Sequence, residues 1–108
     1  MATNELIGRW NITEMEIWNK EYFNMEIQAY IEIHEDYYGN FQFGLVEGNL
    51  DNGILCSNEM TFNFEGCDEM DPISGSLWIQ LNDKNTIEGR FKFLQGDEST
   101  FCASRVVI

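Results

Sequence analysis

Apolar side chains recur at every second position in run after run of this chain, and each run is stopped by Gly, Asn, Asp or Ser. Met60, Phe62 and Phe64 make one such run; Leu77, Ile79 and Leu81 another; Ile87, Gly89, Phe91 and Phe93 a third. Ala29, Ile31 and Ile33 repeat it, as do Phe41, Phe43 and Leu45. A period of two is that of a strand with one buried face. No amphipathic stretch exceeds about two helical turns, so the chain can bury its apolar faces only by packing strands.

The breaks between runs set the order of elements. Trp10 and Ile12 share a face, but the apolar phase then moves to Met15 and Ile17, which predicts a β-bulge at Thr13 or Glu14. From Asn19 to Met25 the alternation is lost, and a single helical turn or irregular crossover is expected, with Tyr22, Phe23 and Met25 folded back on the core. Gly39-Asn40 reads as the turn of a hairpin. Asn52-Gly53 and Ser57-Asn58-Glu59 compete as turns, leaving one short strand near Ile54 to Ser57. Glu65, Asp68, Glu69 and Asp71, followed by the single Pro72, read as an acidic loop. Turns at 82–85 and 95–99 precede a last strand from Thr100 to Val107. The count is seven or eight short strands with at most one helical turn. Such a set favours an all-β fold, a small antiparallel meander closed as a barrel, because closure removes exposed edges. Phe43, Phe62, Phe64, Ile79 and Phe91 are predicted to point inward.

The 108 residues, 44% hydrophobic and 14% aromatic, suit a single domain over residues 1–108 with a packed core. Six Lys and Arg against nineteen Asp and Glu give a net charge of −13. That field repels phosphate backbones and anionic lipid and attracts basic surfaces, so neither direct nucleic-acid binding nor membrane association is expected. The first residues have no signal-peptide pattern and no apolar run approaches the ~20 residues of a membrane helix, which predicts a cytoplasmic protein. Cys56, Cys67 and Cys102 match neither a zinc nor a redox spacing. Cys56 and Cys102 are expected in strands as small hydrophobes.

Ile7-Gly-Arg-Trp10, Ile12-Thr-Glu-Met-Glu-Ile-Trp18, Phe41-Gln-Phe-Gly44, Glu65-Gly-Cys-Asp-Glu-Met-Asp-Pro-Ile-Ser-Gly75, Glu88-Gly-Arg90 and Gly96-Asp-Glu-Ser99 together resemble a group of small acidic bacterial proteins that carry no assigned activity. The acidic loop is the most specific element, with Cys67 standing where that group is expected to have Asn. The resemblance implies a shared fold. Gly8-Arg-Trp10 is also similar to the Gly-x-Trp on the first strand of lipocalin-type barrels, which implies a lipocalin-like or calycin-like topology in which Trp10 closes one end.

Three readings of function follow. In the first, a non-enzymatic module binds a protein or small molecule, either in a barrel cavity or on a face made by Asp68, Glu69, Asp71, Asp97 and Trp78. Eight phenylalanines argue for the face over the cavity. The acidic loop could offer Asp68 and Asp71 as oxygen ligands to a hard cation such as Ca²⁺, although carboxylates that serve their own turn explain it as well; no cofactor is implied. In the second reading, Glu14 pairs with Asp68 or Asp97 in acid–base catalysis, which requires Glu14 at the barrel mouth rather than outside a bulge. The third makes the chain an acidic decoy of a basic protein or nucleic acid. His34 is expected on the surface, and Trp10, Trp18 and Trp78 as core fillers, caps or stacking platforms.

Overall fold

A computed structural model describes residues 5–94 and 96–106. Eight antiparallel strands follow one another: β1 (Gly8–Met15), β2 (Tyr30–Ile33), β3 (Gly39–Phe43), β4 (Val46–Cys56), β5 (Glu59–Asp68), β6 (Asp71–Asp83), β7 (Thr86–Phe93) and β8 (Glu98–Arg105). Each pairs with the next, and β8 returns to β1, so the sheet is a closed barrel. The one helix among the described residues, α1 (Lys20–Phe23), is a single turn between β1 and β2. None of the described helices is long and apolar enough to cross a membrane.

Alternation places the inward residues where period two requires. Phe43, Phe62, Phe64, Ile79 and Phe91 are all buried. The Phe91 ring on β7 lies 4.9 Å from Phe41 and 5.1 Å from Phe43, both on β3. These strands stand on opposite walls of an eight-stranded barrel, so rings meet across its axis and fill it at that level.

The expected bulge is present: Ile12 pairs with Ala103 and Glu14 with Cys102, leaving Thr13 as the extra residue. Both Glu14 and Glu16 therefore stand in water, Met15 is half-buried and Ile17 stays 46% exposed rather than joining the core. Of the residues expected to fold back after β1, Phe23 is buried and Tyr22 half-buried, while Met25 is exposed.

Three turn assignments are corrected. Gly39 and Asn40 already pair with Ile33 and Glu32 inside β3, and the chain reverses at residues 34–38 instead, with Tyr37 at a left-handed φ of 66°. Asn52-Gly53 is a bulge, not a turn. These two residues oppose Phe62 alone, between the pairs Asp51–Asn63 and Ile54–Thr61, so β4 runs unbroken to Cys56 and the reversal falls at Ser57-Asn58. The extra residue flips the pleat, which puts Leu50 inside and leaves Ile54 and Cys56 exposed.

The acidic loop shrinks to a two-residue turn, Glu69-Met70, because Asp68 pairs with Asp71 and the ladder continues through Cys67–Pro72 to Phe64–Gly75. Carboxylates sit in these strands without penalty because β6 has no β7 partner before Gly75, so Asp71–Ile73 form the edge of a projecting ribbon. The same edge position accommodates Pro72, which cannot donate to a ladder. Gln95 and Val107, expected in the last turn and strand, lie outside the described residues.

One end of the barrel is closed by Arg105. Its guanidinium lies 4.3 Å from the Trp10 ring and donates to the carbonyls of Lys84 (2.8 Å) and Ile7 (3.2 Å). The Trp10 indole donates to the Leu6 carbonyl at 3.0 Å, and Trp10 is fully buried.

A candidate binding face at the helical end

In a meander the connections alternate between the two ends. The β1–β2 connection carrying α1, the β3–β4 turn, the β5–β6 turn and the β7–β8 turn therefore share the end opposite Arg105. After the bulge, β1 is stopped by Ser99: the buried hydroxyl accepts from the amides of Glu16 (3.2 Å) and Ile17 (3.3 Å). The chain then turns inward. Asn19 caps α1, its side-chain oxygen accepting from the Tyr22 amide at 3.0 Å. Between these two fixed points Trp18 is laid over the barrel mouth, 4.9 Å from Phe43, 6.0 Å edge-on from Phe93 and stacked with Tyr22 at 6.3 Å. Gly44 makes room for this lid: at a φ of 59°, a methyl there would meet the Tyr22 ring at 2.5 Å.

The neighbouring turns are tied to the lid by backbone bonds. Gly44 donates to the Phe23 carbonyl (2.9 Å), Glu69 to Leu45 (3.0 Å), Leu94 to Ser74 (2.9 Å) and Phe93 to Asp97 (2.9 Å). Between them lies a slot of about 230 Å³ walled by Trp18, Val46, Ile73 and Phe93, with Asp68 and Asp97 on its lining. The structure thus brings Asp68 and Asp97 together. Among the described residues neither makes an ion pair, and the Asp68 and Asp71 side chains make no bond to the amides of their own turn. No three His, Cys, Asp or Glu side chains among the described residues are grouped so as to hold a metal ion.

Charge and apolar exposure are concentrated at this end. Glu16, Glu21 and Glu26, then Asp68, Glu69 and Asp71, then Asp97 and Glu98 gather here; Lys20 is the basic residue within these connections, and Glu98 alone of the eight is ion-paired, with Arg90 at 3.5 Å. Among the described residues the exposed large apolar side chains are Ile17, Met25, Ile27, Met70 and Leu94 here, and only Tyr38 and Ile54 elsewhere; Met70 is 93% exposed and Leu94 72%. Burial, with added repulsion from Asp68 and Glu69, raises the Tyr22 hydroxyl above its usual range against a hydrogen bond from Leu45 that lowers it.

Trp78 and Glu14 belong to a different place. Trp78 points outward from the middle of β6, seven residues and roughly 23 Å along the strand from Asp71. It therefore does not flank the acidic turn. Its indole donates to Glu59 at 2.7 Å, and it lies in a groove of about 480 Å³ on the barrel wall with Glu14, Glu16, Glu88, Arg90 and Cys102. Glu14 and Glu88 stand in register on either side of Cys102. Burial, then these two charges, pushes the Cys102 thiol up. Glu14 pairs with Cys102, five residues along β8 from Asp97, and lines neither the slot nor the turn that holds Asp68.

His34 is exposed and sits 3.2 Å from Glu32, which also contacts Arg9 at 3.5 Å. The residues sequence reasoning left outside the site are Trp18, Tyr22, Val46, Ile73, Phe93 and Leu94. Their one signal was position: each flanks a place where alternation stops, at the end of the barrel that carries the acidic turn.

Fold and face together define an eight-stranded meander barrel with a ring-filled interior and an acidic, apolar-studded end. Set against protein-family models, curated proteins and solved structures, the chain matches none of them.

Proposed function

We propose that this protein is a non-catalytic binding module that presents its α1 end to a basic protein partner. One observation carries this reading: five large apolar side chains are exposed at the same end of the barrel as eight carboxylates, of which only Glu98 is ion-paired. Solubility accounts for carboxylates, and scattered apolar residues need no explanation. Clustering of the two at one end is the pattern of a contact surface, in which methionine and leucine supply adaptable apolar area and the acids select a cationic partner. Rings touching across the axis at 4.9 Å favour this face over a ligand cavity in a lipocalin-like barrel. In this reading the barrel is a cytoplasmic scaffold, and its charge keeps nucleic acid and anionic membrane away.

Capture from native cells tests it, with three baits compared at two salt concentrations. The wild-type chain and a Tyr38→Ser/Ile54→Ser control should retain the same basic protein, with less retained at high salt. Met70→Ser/Leu94→Ser with Asp68→Asn/Asp97→Asn should lose it. Equal retention by all three, or loss only from the control, would defeat the proposal.

A further inference from the structure

We infer that the slot between Trp18, Val46, Ile73 and Phe93 is an anchor pocket for one lysine or arginine side chain of that partner. The inference rests on the reading of this end as a protein-binding face, and adds the chemistry of the residue that docks there.

Size comes first. About 230 Å³ falls below the ~300–1,000 Å³ of small-molecule and cofactor sites, and suits a single side chain. The walls come next. An aromatic face and three apolar side chains fit a methylene stem, while Asp68 at the end of β5 and Asp97 before β8 supply negative charge from separate elements. Lysine and arginine are the side chains with both parts, an apolar stem that packs and a charged head held at the rim, and the indole of Trp18 adds attraction for a cation. An aliphatic residue would leave two carboxylates desolvated with no partner. An acidic residue would be repelled by Asp68 and Asp97 on the lining.

No described basic residue fills the slot. Among the described residues the ion pairs are Arg9–Glu32, His34–Glu32 and Arg90–Glu98, so no basic residue of the chain engages Asp68 or Asp97. Nor is the pocket a loose collection of loops. Leu94 to Ser74 and Phe93 to Asp97 are backbone bonds of 2.9 Å that tie the β7–β8 turn both to β6 and to itself. A pocket held this way needs little ordering when it binds.

Nuclear magnetic resonance titration with stem-and-head probes tests the inference. The probes are n-butylguanidinium and n-butylammonium chlorides, compared with n-butanol and with guanidinium and ammonium chlorides at matched ionic strength. Both butyl cations should shift the Trp18 indole N–H and the amides of Ile73, Leu94 and Asp97 saturably. Asp68→Asn/Asp97→Asn, which keeps side-chain shape, should weaken that binding about fivefold, as expected for loss of two exposed ion pairs. If n-butanol binds as well as the butyl cations, or if the bare ions reproduce the shifts, the slot is not a lysine or arginine pocket.

A designed amphipathic helix of lysine and leucine separates the two levels of the argument. Should that peptide shift Ile17, Met25, Met70 and Leu94 while the butyl cations leave the slot untouched, the face stands and the anchor pocket falls. If neither probe binds this end, both fall.

Discussion

Truncating Phe91 to alanine probes whether the barrel interior is closed. The ring is fully buried and touches Phe41 at 4.9 Å, Phe101 at 5.0 Å and Phe43 at 5.1 Å. Losing its burial removes about 1.5–3 kcal/mol of transfer free energy. The hole it leaves is on the order of 100 Å³, and because its walls belong to opposite sides of a hydrogen-bonded barrel they cannot collapse into it; at ~24 cal/mol per Å³ that adds about 2.4 kcal/mol. A total near 4–5 kcal/mol is expected, a large share of the ~5–15 kcal/mol available to a domain of this kind. At ~4 °C per kcal/mol, the melting temperature should fall by about 15–20 °C. Urea unfolding followed by tryptophan fluorescence and far-ultraviolet dichroism reads the loss at unchanged m. Thr61→Ala and Asn63→Ala, outward on β5, should each stay within ~0.5 kcal/mol. The new cavity is apolar and should bind benzene, which would restore part of the melting temperature. A loss for Phe91→Ala below about 1.5 kcal/mol would mean that the interior already holds empty space, and the case against a ligand cavity would fail.

Four further outcomes are expected. Gly66→Ala should destabilise by about 2 kcal/mol or more in the same unfolding assay, because the methyl would run into the Glu47 carbonyl oxygen and lie 2.5 Å from the Gly48 Cα, both backbone atoms that cannot rotate away; Asn49→Ala, outward on β4, serves as the control. Iodoacetamide at pH 8, followed by mass spectrometry, should label exposed Cys56 before Cys102, and Glu14→Gln/Glu88→Gln should speed labelling of Cys102. Monovalent salt should raise the melting temperature of a chain with net charge −13 as the screening length falls toward ~8 Å. Glu32 has its carboxyl held below the usual range by the hydrogen bond with His34 and then by Arg9, so its contribution is present above the unfolded-state pKa and is lost as pH falls through the folded value; Glu32→Gln should remove that acid-side loss, which solvent screening keeps under about 1 kcal/mol.

Where period two was unbroken, the sequence was enough to place residues: Phe62, Phe64, Ile79 and Phe91 face inward as their spacing requires, and the phase change after Ile12 narrowed the bulge to Thr13 or Glu14, of which the pairing with β8 selects Thr13. Asn52-Gly53 misled because a bulge and a hairpin turn ask for the same residues. Both need a left-handed backbone, and only the pairing of Asp51 with Asn63 and Ile54 with Thr61 tells them apart. Glu65 to Asp71 misled for a different reason. Charged residues suggest a loop when strands are assumed to have a buried face, yet this ribbon projects beyond β7 and much of it meets solvent. The approach of Asp68 to Asp97 could not be read locally, since it depends on barrel closure bringing β5 and the β7–β8 turn to one end. Trp78 was left open between the core and a face beside the acidic loop, and the distance along β6 that separates it from the acidic turn became visible only once the strand was known to start at Asp71.

The seam between β1 and β8 also bears on how the chain is made. Thr13 and Cys102, which meet across it, are 89 residues apart. At ~5–20 residues per second of synthesis, β1 waits roughly 5–20 s for its last partner to emerge. Over that interval β1 and the growing strand opposite it are open edges carrying Trp10, Ile12 and then Phe91, able to pair with any other nascent chain. Outward glutamates at positions 14, 16 and 88 stand on those same two edges and the segment beside them, where like charge opposes pairing between copies until β8 closes the ring.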